Sequence, residues 1–220
     1  MKMDGWPLSW QTTGAEQMKG VSGLAIILVL ALAGGITAAQ WPEYQTMQVL
    51  RQDGVVLFPQ ALPVSDFAFV DENGAPFVKQ DLQGKNVLMF FGYTWCPDIC
   101  PTTLMDLSRT WKRLPEAVKQ QWAVVLVSID PARDRPENLA PYMHYFNPDF
   151  KALTGNPDAL QTLAAELNAI YHRVERDDGA YLMDHSANLA LLSKDGDYLG
   201  YIEPPHNASR MVALIKALSQ

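Results

Sequence analysis

The spacing of apolar and polar positions changes character along this chain, and each change marks an element. From Gly20 to Pro42 there is no charged residue, and Leu24 to Ala33 is apolar on every side. About 20 such residues, rising ~1.5 Å each, cross a hydrocarbon core of ~30 Å. Residues 20–41 are therefore expected to form one transmembrane helix, with Trp41 at the interface. Residues 42–62 read as a linker. Phe67-Ala68-Phe69-Val70 and Pro76-Phe77-Val78, around Asp71-Glu72-Asn73-Gly74, predict a hairpin. Asn86–Tyr93 and Trp122–Ile129 are near-continuous apolar runs, the mark of strands buried on both faces.

Helical spacing covers Pro101–Leu114, Pro136–Phe146 and, after an Asn156 cap, Pro157 to about Ile170. Phe150–Gly155 reads as a short strand, and His172–Glu175 alternates like an edge strand. Ala187–Leu192 and Tyr198–Ile202 flank Lys194-Asp195-Gly196-Asp197, a hairpin signal, and a last helix runs from near Asn207 to Leu218. Alternating strands and helices imply parallel pairing, and the closing hairpin adds antiparallel strands. The expected fold class is α/β: one domain over 63–220, a mixed sheet flanked by helices, preceded by one N-terminal transmembrane helix.

Charge narrows the partners. The net charge of −7 is spread thinly over 220 residues with no basic stripe, which argues against nucleic acid. At the N-terminus, Thr37-Ala38-Ala39 would tolerate signal-peptide cleavage, but the apolar stretch is long and starts late, which favours an uncleaved anchor. Lys2 and Lys19 precede the span, and the next basic residue is Arg51, so residues 1–19 are expected in the cytoplasm and the bulk outside. The first 50 residues contain no Arg, unlike a mitochondrial presequence. A bacterial inner membrane, crossed once, with the soluble domain in the periplasm, is the expected location.

Two cysteines cannot make a disulfide framework, and these are four positions apart. Closing so small a loop removes little chain entropy, so a redox or metal pair is the better reading. Cys96-Pro97-Asp98-Ile99-Cys100 follows a buried strand and opens a helix, where free N–H groups favour the thiolate. A thioredoxin redox pair has two intervening residues; here there are three. Two thiolates at this spacing can converge on one soft ion such as Cu(I); Cys₂His also suits zinc. Among four histidines, His144 reads as packing or surface and His172 as exposed, while His206, after Pro204-Pro205, has no evident role. His185, in Met183-Asp184-His185-Ser186, stands at the entrance to an apolar strand beside a carboxylate that could orient it. A structural histidine remains the alternative at that position.

These residues resemble the signature of the Sco/SenC family of copper chaperones. Gly92-Tyr93-Thr94-Trp95-Cys96-Pro97-Asp98-Ile99-Cys100-Pro101-Thr102-Thr103-Leu104 carries the likeness, followed by Val127–Asp134, Phe146–Phe150 with Leu153-Thr154-Gly155, and Asp184-His185-Ser186, in order over 64–220. The resemblance implies a thioredoxin-like domain on a single anchor, binding one copper ion, Cu(I) or Cu(II), through Cys96, Cys100 and His185. It implies a part in building the CuA site of cytochrome c oxidase subunit II or a related cuproprotein, by delivering copper or by reducing that site's cysteines. Another periplasmic copper chaperone or a thioredoxin-like reductant would be further partners. Asp130 matches an acidic position near the site; Asp98 and Asp184 are expected to act in the same supporting way. Trp95 is a departure, since many relatives carry another residue before the first cysteine. Thioredoxins proper set a cis-Pro opposite their cysteines, whereas Asp184-His185-Ser186 has none. The competing reading is a periplasmic thiol–disulfide reductase using Cys96 and Cys100. A thioredoxin-fold peroxidase leaves His185 and the three-residue gap unexplained.

Overall fold

The computed structural model describes residues 54–219. The expected anchor and most of the expected linker lie outside the described residues, and among these no helix is long and apolar enough to cross a membrane. In chain order the strands are β1 (Val55–Leu62), β2 (Ala68–Asp71), β3 (Pro76–Val78), β4 (Asn86–Gly92), β5 (Trp122–Ser128), β6 (Lys151–Thr154), β7 (Tyr171–Glu175), β8 (Tyr181–His185), β9 (Leu189–Leu192) and β10 (Tyr198–Ile202). The helices are α1 (Ile99–Arg113), α2 (Glu116–Lys119), α3 (Pro136–Phe146), α4 (Pro157–Glu166) and α5 (Ala208–Ala217).

The two apolar runs form the centre. β4 and β5 pair in parallel from Asn86↔Trp122 to Gly92↔Ser128, and β6 continues the parallel set beyond β5. Parallel strands need crossovers, which α1 and α3 supply. On the other side β9 and β10 join antiparallel, so the sheet reads β1-β10-β9-β4-β5-β6-β2-β3. The mixed α/β sheet is as the alternation predicted. One face buries Met89, Phe91, Val125, Val127 and Leu153 in a cluster that also takes in Tyr93 and Cys100, so the site grows directly out of the core.

Two elements differ from the sequence reading. Val55–Leu62, expected as linker, is β1, an edge strand paired with β10 alone; Pro59 is tolerated there because an edge needs no second ladder. Tyr181–His185, a segment for which the pattern predicts no element, is β8. It pairs with β7 as a separate two-stranded ribbon, Tyr171↔His185 to Glu175↔Tyr181, closed by a turn with Gly179 at φ +79°.

Candidate metal centre

The cysteine turn leaves the carboxyl end of β4. Gly92, the last residue of the strand, is required by close approach: a Cβ there would lie 2.7 Å from Cys100 Sγ and 3.0 Å from Leu126 Cδ1. Its carbonyl accepts from Ile129 N–H at 2.9 Å, which keeps it in the sheet. The next residues are held by Asp134, a fully buried carboxylate. It accepts from Thr94 N–H (3.0 Å), Thr94 Oγ1 (2.6 Å) and Ser128 Oγ (2.7 Å). Burial leaves this carboxyl above its ordinary value, and the three donors offset that only in part.

Cys96 is half-buried and Cys100 buried at the head of α1. Cys100 N–H donates to Cys96 Sγ at 3.4 Å, as expected where a helix presents unpaired amides. The Cys96 thiol is drawn down to about 4, chiefly by the hydrogen bond from the Cys100 thiol. Burial opposes this; His185 and the main-chain N–H groups of Cys100 and Asp98 assist. Cys100 goes the other way, raised because it is the donor, because it is buried and because the Cys96 charge lies beside it. The metal-free pair therefore holds one proton and one charge at neutral pH.

His185, at the end of β8, completes the group. Its Nε2 lies 3.3 Å from Cys100 Sγ and 3.9 Å from Cys96 Sγ. Its Nδ1 is 3.0 Å from the Ser186 carbonyl. A carbonyl only accepts, so Nδ1 carries a proton and Nε2 is the nitrogen that faces the sulfurs: a donor to the Cys96 thiolate while the ring is charged, and a lone pair free for a metal ion when it is neutral. The three donor atoms all lie within 4.8 Å of one another. Burial lowers the ring's pKa, but the Cys96 hydrogen bond, the Ser186 carbonyl and the nearby negative charges outweigh it and leave the imidazole above its ordinary value.

Comparison with known proteins accords with this geometry. The SCO1/SenC family model matches residues 59–220. The chain belongs to the SCO1/SenC family. A Stutzerimonas stutzeri protein named as copper-binding is 37% identical over 179 residues, covering 81% of this chain and 86% of the relative. The solution structure of apo Sco1 from Thermus thermophilus matches with a TM-score of 0.67 at 36% identity, over 74% of this chain and 95% of that one. ScoI of Bradyrhizobium japonicum, solved with copper bound, matches with a TM-score of 0.64 at 30% identity, over 70% and 97%. The thioredoxin-like architecture expected from the resemblance is the one these Sco structures share.

Within this Sco domain the supporting residues differ from those expected. Asp130 is buried but makes no hydrogen bond to any of the three donors. It pairs with Arg133 Nε and accepts from Tyr181 Oη at 3.0 Å, so it ties the loop after β5 to the strand that carries His185. Asp98 contributes its main-chain N–H to Cys96; its side chain is exposed and makes no cap. Asp184 does not orient His185. Neighbours on a strand point to opposite faces, and its exposed carboxylate pairs with His172 at 3.4 Å. The orienting acceptor is the Ser186 carbonyl.

Sequence reasoning missed the groups that hold β8. Tyr93 Oη accepts from Met183 N–H at 3.1 Å, its ring edge-on to His185 with centroids 6.1 Å apart. Arg133 donates to the Tyr181 carbonyl at 3.1 Å and stacks on the Tyr181 ring at 3.7 Å. The Val127–Asp134 block held the signal for Arg133 and Asp134; Tyr93 was masked by the apolar run it ends. Trp95 is 61% exposed beside Cys96, with the Arg133 guanidinium 5.8 Å from its ring. His144 is exposed, as expected.

Proposed function

We propose that this chain is a copper chaperone that holds one copper ion on Cys96 Sγ, Cys100 Sγ and His185 Nε2 and serves assembly of the CuA site of cytochrome c oxidase. The observation that carries this reading is the convergence of two sulfurs and a correctly tautomerised imidazole within 4.8 Å. Ligand bonds of about 2.0–2.3 Å want donors about 3.5–4 Å apart, close to the 3.3 and 3.9 Å observed from Nε2. Structural zinc takes four protein ligands, and the group among the described residues has three. Thiolate softness then favours Cu(I). The half-buried Cys96 gives a partner's ligand a route to the ion, as cargo requires. Copper bound to the Bradyrhizobium japonicum relative supports the same reading.

The rest of the assignment follows the resemblance. The domain, 63–220, stands on an uncleaved anchor at 20–41, with 1–19 in the cytoplasm and 42–62 leading out to the periplasm of a bacterial inner membrane. The client is subunit II or a related cuproprotein, with a periplasmic copper chaperone or thioredoxin-like reductant upstream. A second reading, reduction of client disulfides, rests on the Cys96 thiolate. That sulfur would attack the client disulfide, and Cys100 would then release the reduced client as the Cys96–Cys100 disulfide forms, two electrons passing out.

The test is copper retention by the reduced full chain given one equivalent, compared with Cys96→Ser, Cys100→Ser and His185→Ala. One tightly held ion, weakened in all three variants, is the expected result. No retained copper, with a readily cycled Cys96–Cys100 disulfide, would move the protein to the reductase reading.

A further inference from the structure

His206 is 4% exposed and takes no part in the group described above. Its Nε2 lies 2.8 Å from the carbonyl of Ala187, two residues beyond His185, and so donates to it. Its Nδ1 is buried and has no hydrogen-bond partner among the described residues. A proton on Nδ1 would be a buried N–H without an acceptor, so the ring stays neutral and the donation from Nε2 persists. Burial also pushes its pKa down.

The main chain around His185 is held at three successive points. The Ser186 carbonyl takes the proton of His185 Nδ1, Ser186 N–H donates to the Ile170 carbonyl at 2.9 Å, and the Ala187 carbonyl takes the His206 proton. Ile170 immediately precedes β7, so the second bond ties the ribbon to itself. Only the third leaves it. It runs to the segment between β10 and Asn207, the cap of α5, and α5 packs on α1, the helix that carries Cys100 in its first turn. His206 also shares the wall of a cavity of about 340 Å³ with Ile99, Thr102 and Thr103 in the first turn of α1. It is thus joined to one ligand-bearing element by a hydrogen bond and lies against the other.

We propose that His206 is a positioning residue for the metal centre: by holding the Ala187 carbonyl it sets where the His185 imidazole stands relative to the sulfurs at the head of α1. This rests on the copper reading. Histidine suits the position because its ring is buried while it aims one N–H at a main-chain oxygen. Glutamine can present an amide N–H at a similar reach; leucine keeps the volume without the donor.

The experiment uses the reduced full chain and measures Cu(I) affinity by competition with a chromophoric chelator. The Cu(II) electron paramagnetic resonance spectrum and the unfolding midpoint of the metal-free protein are recorded alongside. His206→Leu is expected to bind about tenfold more weakly, the size usual for groups that orient a ligand, with altered copper hyperfine splitting. His206→Gln is expected to restore most of the affinity and the wild-type spectrum. Wild-type affinity and spectrum in His206→Leu would overturn the proposal, as would equal losses in both variants, which would mark a packing role. If His206→Leu does not fold, His206→Asn replaces it: its amide is too short to reach Ala187, so tight Gln with weak Asn supports the proposal and equality overturns it. A wild-type chain holding no copper would overturn the copper reading and this one with it. Wild-type binding with unchanged variants would remove only the role of His206.

Discussion

Cys100 lies under the head of α1 against β4 and β5, strands in which nearly every side chain is buried, whereas His185 ends a two-stranded ribbon whose residues are exposed or half-buried. A lone two-stranded hairpin is marginal in water, and segments with few buried apolar contacts open at low free-energy cost. Packing sets the sulfurs; a handful of polar bonds sets the imidazole. Those bonds are Met183 to Tyr93, Tyr181 to Asp130, and Arg133 to the Tyr181 carbonyl. Damage on the sulfur side should therefore lower folding stability and copper binding together, while damage on the ribbon side should reach copper binding with little effect on folding.

The largest expected effect lies on the sulfur side. Alkylation of the reduced, metal-free chain by iodoacetamide, followed by peptide mass spectrometry across pH, should show Cys96 titrating near pH 4 and Cys100 inert at neutral pH. An ordinary thiol titrates at about 8.5; two such midpoints would refute the shared-proton pair. The folded pKa of Cys96 is below its unfolded one, so its stabilising contribution is full above the unfolded value and is lost as pH falls toward 4. Cys100, raised, contributes with the opposite sign.

Asp134→Ala comes next. It strips three donors of their acceptor and should cost about 2–3 kcal/mol in denaturant unfolding, with copper affinity falling in parallel. Gly92→Ala should cost about 1–3 kcal/mol by overpacking, and because Cys100 Sγ must move, copper binding should weaken too. On the ribbon side, Tyr93→Phe removes the acceptor for Met183 N–H. About 1 kcal/mol of stability is expected to go, while copper affinity falls by more than that figure alone would predict; equal losses would mean the ribbon is no softer than the core. The smallest effect belongs to Asp184→Asn. The contact with His172 is exposed, and it is an ion pair only when that ring is protonated, so at most about 1 kcal/mol is expected to go, and copper affinity should not change.

What could be read from the sequence divides along the same line. Cys96 and Cys100 sit in one short segment after an apolar run, so period, spacing and helix start all pointed to them. His185 was legible chiefly through the likeness of Asp184-His185-Ser186 to a family block. Asp130 was legible through the same likeness, but the rest of the support was not, because Tyr93, Arg133, Tyr181 and Met183 meet across about 40 to 90 positions of chain and no local pattern records such meetings. The choice of Asp184 shows the hazard of arguing from adjacency: without recognising β8 as a strand, nothing said that residues 184 and 185 face opposite ways. The turn Asp178-Gly179 was the available sign of that ribbon. β1 escaped for another reason, since Pro59 and its exposed second half mimic a linker.

Gly92 bears on how this chain can vary. Cys100 Sγ occupies the volume that a β-carbon at position 92 would claim, so substitution there is a contest for one space between a methyl group and a ligand atom. Every other amino acid brings at least that methyl group. A saturation library scored for copper retention should therefore leave glycine alone at 92, while exposed positions of the ribbon such as 175 and 184 accept many residues. Glycine at this position is fixed by what the neighbouring sulfur needs, and its own backbone angles play no part in it.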